Sequence, residues 1–96
     1  MEVTKEEALL MFNKWRDEGT PIRAWARLPS LHFDCAAFVM NCDWDTFALR
    51  LPGERNFLEL DFGDSTFLFG THPKAEGMAL ICLRRDGGEI FFWEEH

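Results

Sequence analysis

The stretch LHFDCAAFVMNCDWDTFALRL, Leu31 to Leu51, decides the fold. It starts as a strand wet on one side and then loses its polar residues. Leu31, Phe33, Cys35, Ala37 and Val39 share one face by the two-residue strand period, while His32 and Asp34 open the other. Ala36, Phe38 and Met40 continue that second face with apolar groups. The strand therefore runs from a wet rim into an interior that needs cover on both sides. After a turn through NCDWD the chain returns as TFALRL, with Phe47, Leu49 and Leu51 on one side and Thr46, Ala48 and Arg50 on the other. Such a hairpin belongs in the middle of a sheet.

Upstream lies one helix. Thr4 and Glu7 form a capping box, in which the Thr hydroxyl accepts from the Glu7 amide and the Glu7 carboxylate reaches back to the Thr4 amide. Ala8, Met11, Phe12 and Trp15 recur at helical spacing, widened by Leu9. Gly19 suits the left-handed position after the last turn, and Pro21 prevents continuation, so the helix spans residues 4–18. From Thr20 to Glu95 short alternating runs follow one another between turn residues, the signature of a meander. IRAWARL places Ile22, Ala24, Ala26 and Leu28 on one face and Arg23, Trp25 and Arg27 on the other, and Pro29 and Ser30 turn it into the deciding strand. PGER, Pro52 to Arg55, is a turn before FLELDF. Gly63 and Asp64 predict a tight type II′ hairpin in which Phe62 faces Ser65, Leu60 faces Phe67 and Leu58 faces Phe69. THPKAEG is a loop, and Asp86 to Gly88 turns MALICL into EIFFWEE.

The expected fold is α+β, mostly β: one domain over residues 1–96, with an N-terminal helix packed on a bent antiparallel meander of about six strands. Two-sided apolar strands such as AAFVM, MALIC and IFFW outrun the cover of one short helix. The sheet is thus expected to curl into a barrel-like form or roll, or to close on a second copy.

The chain has 96 residues, ten of them Phe and four Trp with no Tyr, and 47% are hydrophobic. That supports one packed core. The formal net charge of −7 opposes sequence-independent binding to nucleic acid or to an anionic membrane, both of which need clustered Lys and Arg. Cys35, Cys42 and Cys82 cannot all pair within one chain, and the acidic N-terminal stretch reads as neither a signal peptide nor a membrane span. A reduced, cytoplasmic setting is expected.

The order of elements resembles that of Sm-like barrels, with Trp44 and Asp45 in the place of their aromatic-Asp pair. Ala48 and Leu49 stand where those proteins carry Met-Asn, so their RNA-binding Asn has no counterpart. Arg23 and Arg27 are similar to the RxxxR of PilZ domains, which bind a cyclic dinucleotide on a β-barrel, but GDSTFLFG does not supply the accompanying Asp-x-Ser-x-x-Gly. The chain is assigned to neither family.

The candidate site follows from pairing the first two long strands around Pro29 and Ser30. If Leu28 opposes Leu31, then Arg27 opposes His32, Trp25 opposes Asp34 and Arg23 opposes Ala36, all on one face. A small planar anion could stack on Trp25 and be held bidentately by the arginines. The plainer alternative has Asp34 bridging the arginines while their stems cover Trp25. Phe38, Met40, Phe91 and Trp93, with Phe57, lie on strand faces opposite the core and are the expected interface of a homo-oligomer, a dimer first. Cys42, Asp43, Trp44 and Asp45, with His72 as a distant partner, lack the spacing of a zinc or calcium site and read as a solvated turn.

Nucleophilic catalysis has no support. His32 and Cys35 fall on opposite strand faces, and Ser65 lacks a nucleophile elbow. No cofactor is expected. The reading is a non-catalytic, self-associating binding module; its competitor is a small enzyme or carrier for an anionic molecule, with His32 and Asp34 as an acid-base pair.

Overall fold

The computed structural model describes residues 1–53, 56–62 and 64–95. Its helix α1, Lys5–Glu18, begins at the capping box: Thr4 Oγ1 accepts from the Glu7 amide at 3.1 Å, and the Thr4 amide donates to Glu7 Oε1 at 3.2 Å. Gly19 ends it in the left-handed conformation, with φ of 63°, where a side chain would be strained. No helix of the described residues is long and apolar enough to cross a membrane.

Around α1 stand β1 (Glu2–Val3), β2 (Ile22–Leu28), β3 (Leu31–Cys42), β4 (Thr46–Arg50), β5 (Phe57–Asp61), β6 (Thr66–Gly70), β7 (Ala79–Leu83) and β8 (Glu89–Glu94). They form one antiparallel sheet in the order β1-β6-β7-β8-β2-β3-β4-β5. Mostly β with one N-terminal helix is as expected; among the described residues the strands number eight rather than about six. Two-residue β1 precedes the helix and is too short to show any alternation. It is recruited by β6, with the Met1 ammonium donating to the Phe69 carbonyl at 3.0 Å.

The sheet is also not a simple meander. Two meanders, β2 to β5 and β6 to β8, join where β8 pairs with β2, Ile22 opposite Glu94 and Arg27 opposite Glu89. The expected β5–β6 hairpin is not formed among the described residues: β5 pairs with β4, whereas β6 pairs with β1 and β7. Gly63 itself lies outside the described residues, as do Glu54 and Arg55 of the expected PGER turn. Alternation fixes which face a side chain takes but not which strand it pairs with. Leu60 and Phe67 do line the same core, and Phe62 and Phe67 meet ring to ring at 5.3 Å across the gap. The sheet is open, with β1 and β5 at its edges.

β3 is the bend. Its residues Leu31–Ala37 pair with β2, and from Phe38 onward it pairs with β4. A register shift between Val39 and Asn41 leaves Met40 in a bulge, which turns the sheet around the helix. Phe12 is the centre of the enclosed core. Its ring lies 4.8 Å from Phe92, 5.6 Å from Phe62, 5.7 Å from Trp15 and 5.9 Å from Phe47. Ala8, Ile22, Ala24, Leu49, Cys82 and Ile90 complete it without exposure.

Candidate functional site

The outer face of β2 carries the residues that the sequence grouped, in the expected register. Leu28 opposes Leu31, Arg27 opposes His32, Trp25 opposes Asp34 and Arg23 opposes Ala36. On the other side of β2, Arg23 opposes Trp93, Trp25 opposes Phe91 and Arg27 opposes Glu89. Strand alternation thus places a row of aromatic and charged groups on one surface.

A loop completes that surface. Residues 71–78, between β6 and β7, fold over β8 so that His72 is buried among three rings. Its imidazole stacks on Trp93 at 4.8 Å and lies 4.7 Å from Trp25 and 4.9 Å from Phe91. His72 Nδ1 accepts the Lys74 amide at 3.1 Å, so the proton of a neutral ring resides on Nε2. Lys74 Nζ in turn donates to Asp34 Oδ2 at 2.6 Å and ties the loop to β3. Read from sequence, this segment was only a polar loop and His72 a distant partner of the Cys42–Asp45 turn. In the fold His72 belongs to the Trp25 surface. The available signal was the demand of two-sided β7 and β8 for cover, together with an eight-residue connection beside them.

The two arginines differ. Arg23 Nε donates to Asp34 Oδ1 at 2.9 Å and its Nη1 to Glu95 Oε1 at 3.2 Å, so both ends of its guanidinium are engaged. Arg27 meets Glu89 only at 4.0 Å, sits with its guanidinium carbon 5.6 Å from the Trp25 ring centre, and keeps 62% of its side chain exposed. The expected bridge from Asp34 to both arginines is therefore half right: Asp34 serves Arg23 and Lys74. The Lys74 hydrogen bond, helped by Arg23, holds the Asp34 carboxyl below the usual carboxylate range against the opposing effect of burial. His32 is exposed beside them, and neither Asp34 oxygen is given to it.

Two clefts flank Trp25. One of about 390 Å³ has Trp25, His72, Pro73 and Phe91 as walls and Arg27, Lys74 and Glu89 at its mouth. The other, about 310 Å³, lies toward β3 between Trp25, His32, Phe33, Asp34 and Lys74. An aromatic wall with a loosely held guanidinium at its rim can stack a flat ring and pair with an anionic group on it.

The residues expected to form an interface divide into two groups. Trp93 is 5% exposed and Phe91 half-buried, because the 71–78 loop covers them within the chain, so Trp93 cannot meet a second molecule as drawn from sequence. Met40 is 48% and Phe57 62% exposed, and Phe38 is half-buried beneath the Arg50 guanidinium, 5.0 Å from its ring.

Asp43 is used by its own turn. Its Oδ1 accepts from the Asp45 amide at 3.0 Å, the Thr46 amide at 2.9 Å and the Thr46 hydroxyl at 3.2 Å. Those donors hold its carboxyl below the usual range. Among the described residues no three His, Cys, Asp or Glu side chains gather as a metal site would require. All three cysteines are free. Burial pushes the Cys42 thiol up to about 12 and raises those of Cys35 and Cys82, which keeps them protonated at neutral pH and poor as nucleophiles.

No protein-family model matches the chain, and neither a curated protein nor a solved structure is significantly similar to it.

Proposed function

We propose that the chain is a non-catalytic binding module that self-associates, a dimer first, and that its ligand is a small molecule with a flat ring and an anionic group, held in the cleft beside Trp25. One observation carries this reading: Arg27 is exposed and loosely held at the mouth of an aromatic cleft, whereas Arg23 is paired with both Asp34 and Glu95. The ring would lie against Trp25, His72 and Phe91, and the anion would take the guanidinium of Arg27, with His32 and Lys74 nearby. No cofactor enters this reading, nor does nucleic acid or a membrane. Three free cysteines suit a reduced, cytoplasmic setting. Self-association is favoured by exposed Met40 and Phe57 on the uncovered side of an open sheet, and a second copy would complete the barrel-like roll.

The enzyme reading needs His32 and Asp34 to exchange a proton. Asp34 commits both oxygens to Arg23 and Lys74, which favours a binder or carrier over a catalyst.

Calorimetric titration with a panel of aromatic carboxylates and aryl phosphates tests the ligand. Binding by a member of the panel should weaken about 10- to 100-fold in Arg27→Ala, the range of a hydrogen bond to a charged group. A panel without a binder, or binding indifferent to Arg27, would overturn the cleft as the site.

A further inference from the structure

Edge strand β5 has one of its two hydrogen-bonding sides used by β4. The Leu51 amide donates to the Asn56 carbonyl at 2.9 Å and the Phe62 amide to the Asp45 carbonyl at 2.8 Å. In the same register Leu49 opposes Leu58 and Phe47 opposes Leu60. Antiparallel alternation then turns the backbone of Asn56, Leu58, Leu60 and Phe62 toward β4 and that of Phe57, Glu59 and Asp61 outward. The Asp61 carbonyl is already met by Arg84 Nη1 from the far end of the sheet. Among the described residues the open part of the edge is therefore short, consisting of the amides and carbonyls of Phe57 and Glu59.

The outer face beside this edge is apolar and charged in a particular order. Arg50 opposes Phe57, and Ala48 opposes Glu59. Phe57 is largely exposed, and Phe38, opposite Arg50 on its other side, continues the row. Among the described residues neither Arg50 nor Glu59 takes part in an ion pair; the Arg50 guanidinium lies over the face of Phe38.

From these groups we infer that β5 pairs antiparallel with β5 of a second copy, about a two-fold axis at Leu58. The inference rests on the proposed self-association and adds its geometry. A two-fold at Leu58 puts Phe57 opposite Glu59 of the other copy, and the reverse, which uses the outward amides and carbonyls of both residues and does not ask for Asp61. It also sets each Glu59 carboxylate against the exposed Phe57 ring of the other copy, within reach of that copy's Arg50. The alternative two-fold at Glu59 would bring like charges face to face and would need the Asp61 carbonyl. Between these two axes, charge order and the open ladder groups favour the one at Leu58, with another copy of this chain as the partner.

Light scattering after size exclusion, read across micromolar concentrations, tests this. The wild-type chain should run at twice 11.2 kDa. Arg50→Glu and Glu59→Arg should each raise the dimer dissociation constant about tenfold or more, because like charges then meet across the axis. Combining the two should restore it. Both changed side chains are exposed, so far-UV circular dichroism should stay unaltered in all three variants. A dimer indifferent to the single reversals would overturn β5 as the interface and leave self-association standing. A wild-type monomer at every concentration would overturn both. In hydrogen exchange, β5 amides that gain protection only when an unrelated extended peptide is added would overturn the β5 pairing.

Discussion

The two halves of the outer sheet face have similar strands and different fates. Over β2, β7 and β8 the 71–78 loop covers the aromatic row in part: His72 is inserted among Trp25, Phe91 and Trp93, Trp93 is buried, and Trp25 and Phe91 are half-buried beside the cleft. Over the second half of β3, β4 and β5, no such loop crosses among the described residues, and Met40 and Phe57 stay at the surface. The comparison teaches that a strand apolar on both faces requires cover without specifying its source. One half is covered locally, and the other is the half to which a second copy is assigned.

Several measurements can break or sharpen that contrast. The largest effect should come from beneath both halves. Phe12→Ala removes the ring that contacts Trp15, Phe47, Phe62 and Phe92, and should cost about 4 kcal/mol in urea unfolding. A loss below about 1 kcal/mol would mean that the core is not organised on this residue.

Next comes a direct test of the contrast. Trp93→Ala in the covered half should cost about 3 kcal/mol, whereas Phe57→Ala, measured where the chain is monomeric, should cost less than about 0.5 kcal/mol. Equal losses at the two positions would erase the distinction between covered and uncovered halves.

The smallest effect concerns the latch that holds the loop. Asp34 has its carboxyl lowered by Lys74 and Arg23, so its folded-state value lies below that of the unfolded chain, about 3.9. The stabilisation is therefore present above about pH 4 and lost as pH falls through the folded-state value. Amide exchange in residues 71–78 should accelerate over that acid range in the wild type. In Asp34→Asn exchange should already be faster at neutral pH and should lose that dependence. An acid response surviving the substitution would assign the latch to another group.

How far the sequence could be read follows from the range of each signal. Helix α1 was legible because Thr4, Glu7 and Gly19 act within one turn of its ends. The β2–β3 register was legible because Pro29 and Ser30 leave little freedom between the strands, and Arg23, Trp25, Arg27, His32 and Asp34 followed onto one face. Gly63 and Asp64 misled because a turn signal is local. The competing pairings, β8 with β2 and β1 with β6, join segments far apart in the chain and have no local signature. His72 and Lys74 were missed as site residues for the same reason: Lys74 reaches Asp34 across 40 positions. Phe91 and Trp93 were correctly placed on the outer face, but alternation could not tell that a loop would lie over them.

The position of β8 has a consequence for how the protein is made. This late strand sits between β7 and β2, and its Glu94 accepts the Trp15 indole N–H from a partner 79 positions earlier. A ribosome must therefore deliver residues 89–94 before the two meanders can be joined. Until then β2 holds an unsatisfied edge and the aromatic core an unfilled side, with Phe92 still missing. Such an intermediate is the kind that chaperones hold and proteases remove, so a message truncated shortly before this strand should yield no stable product rather than a slightly weakened one.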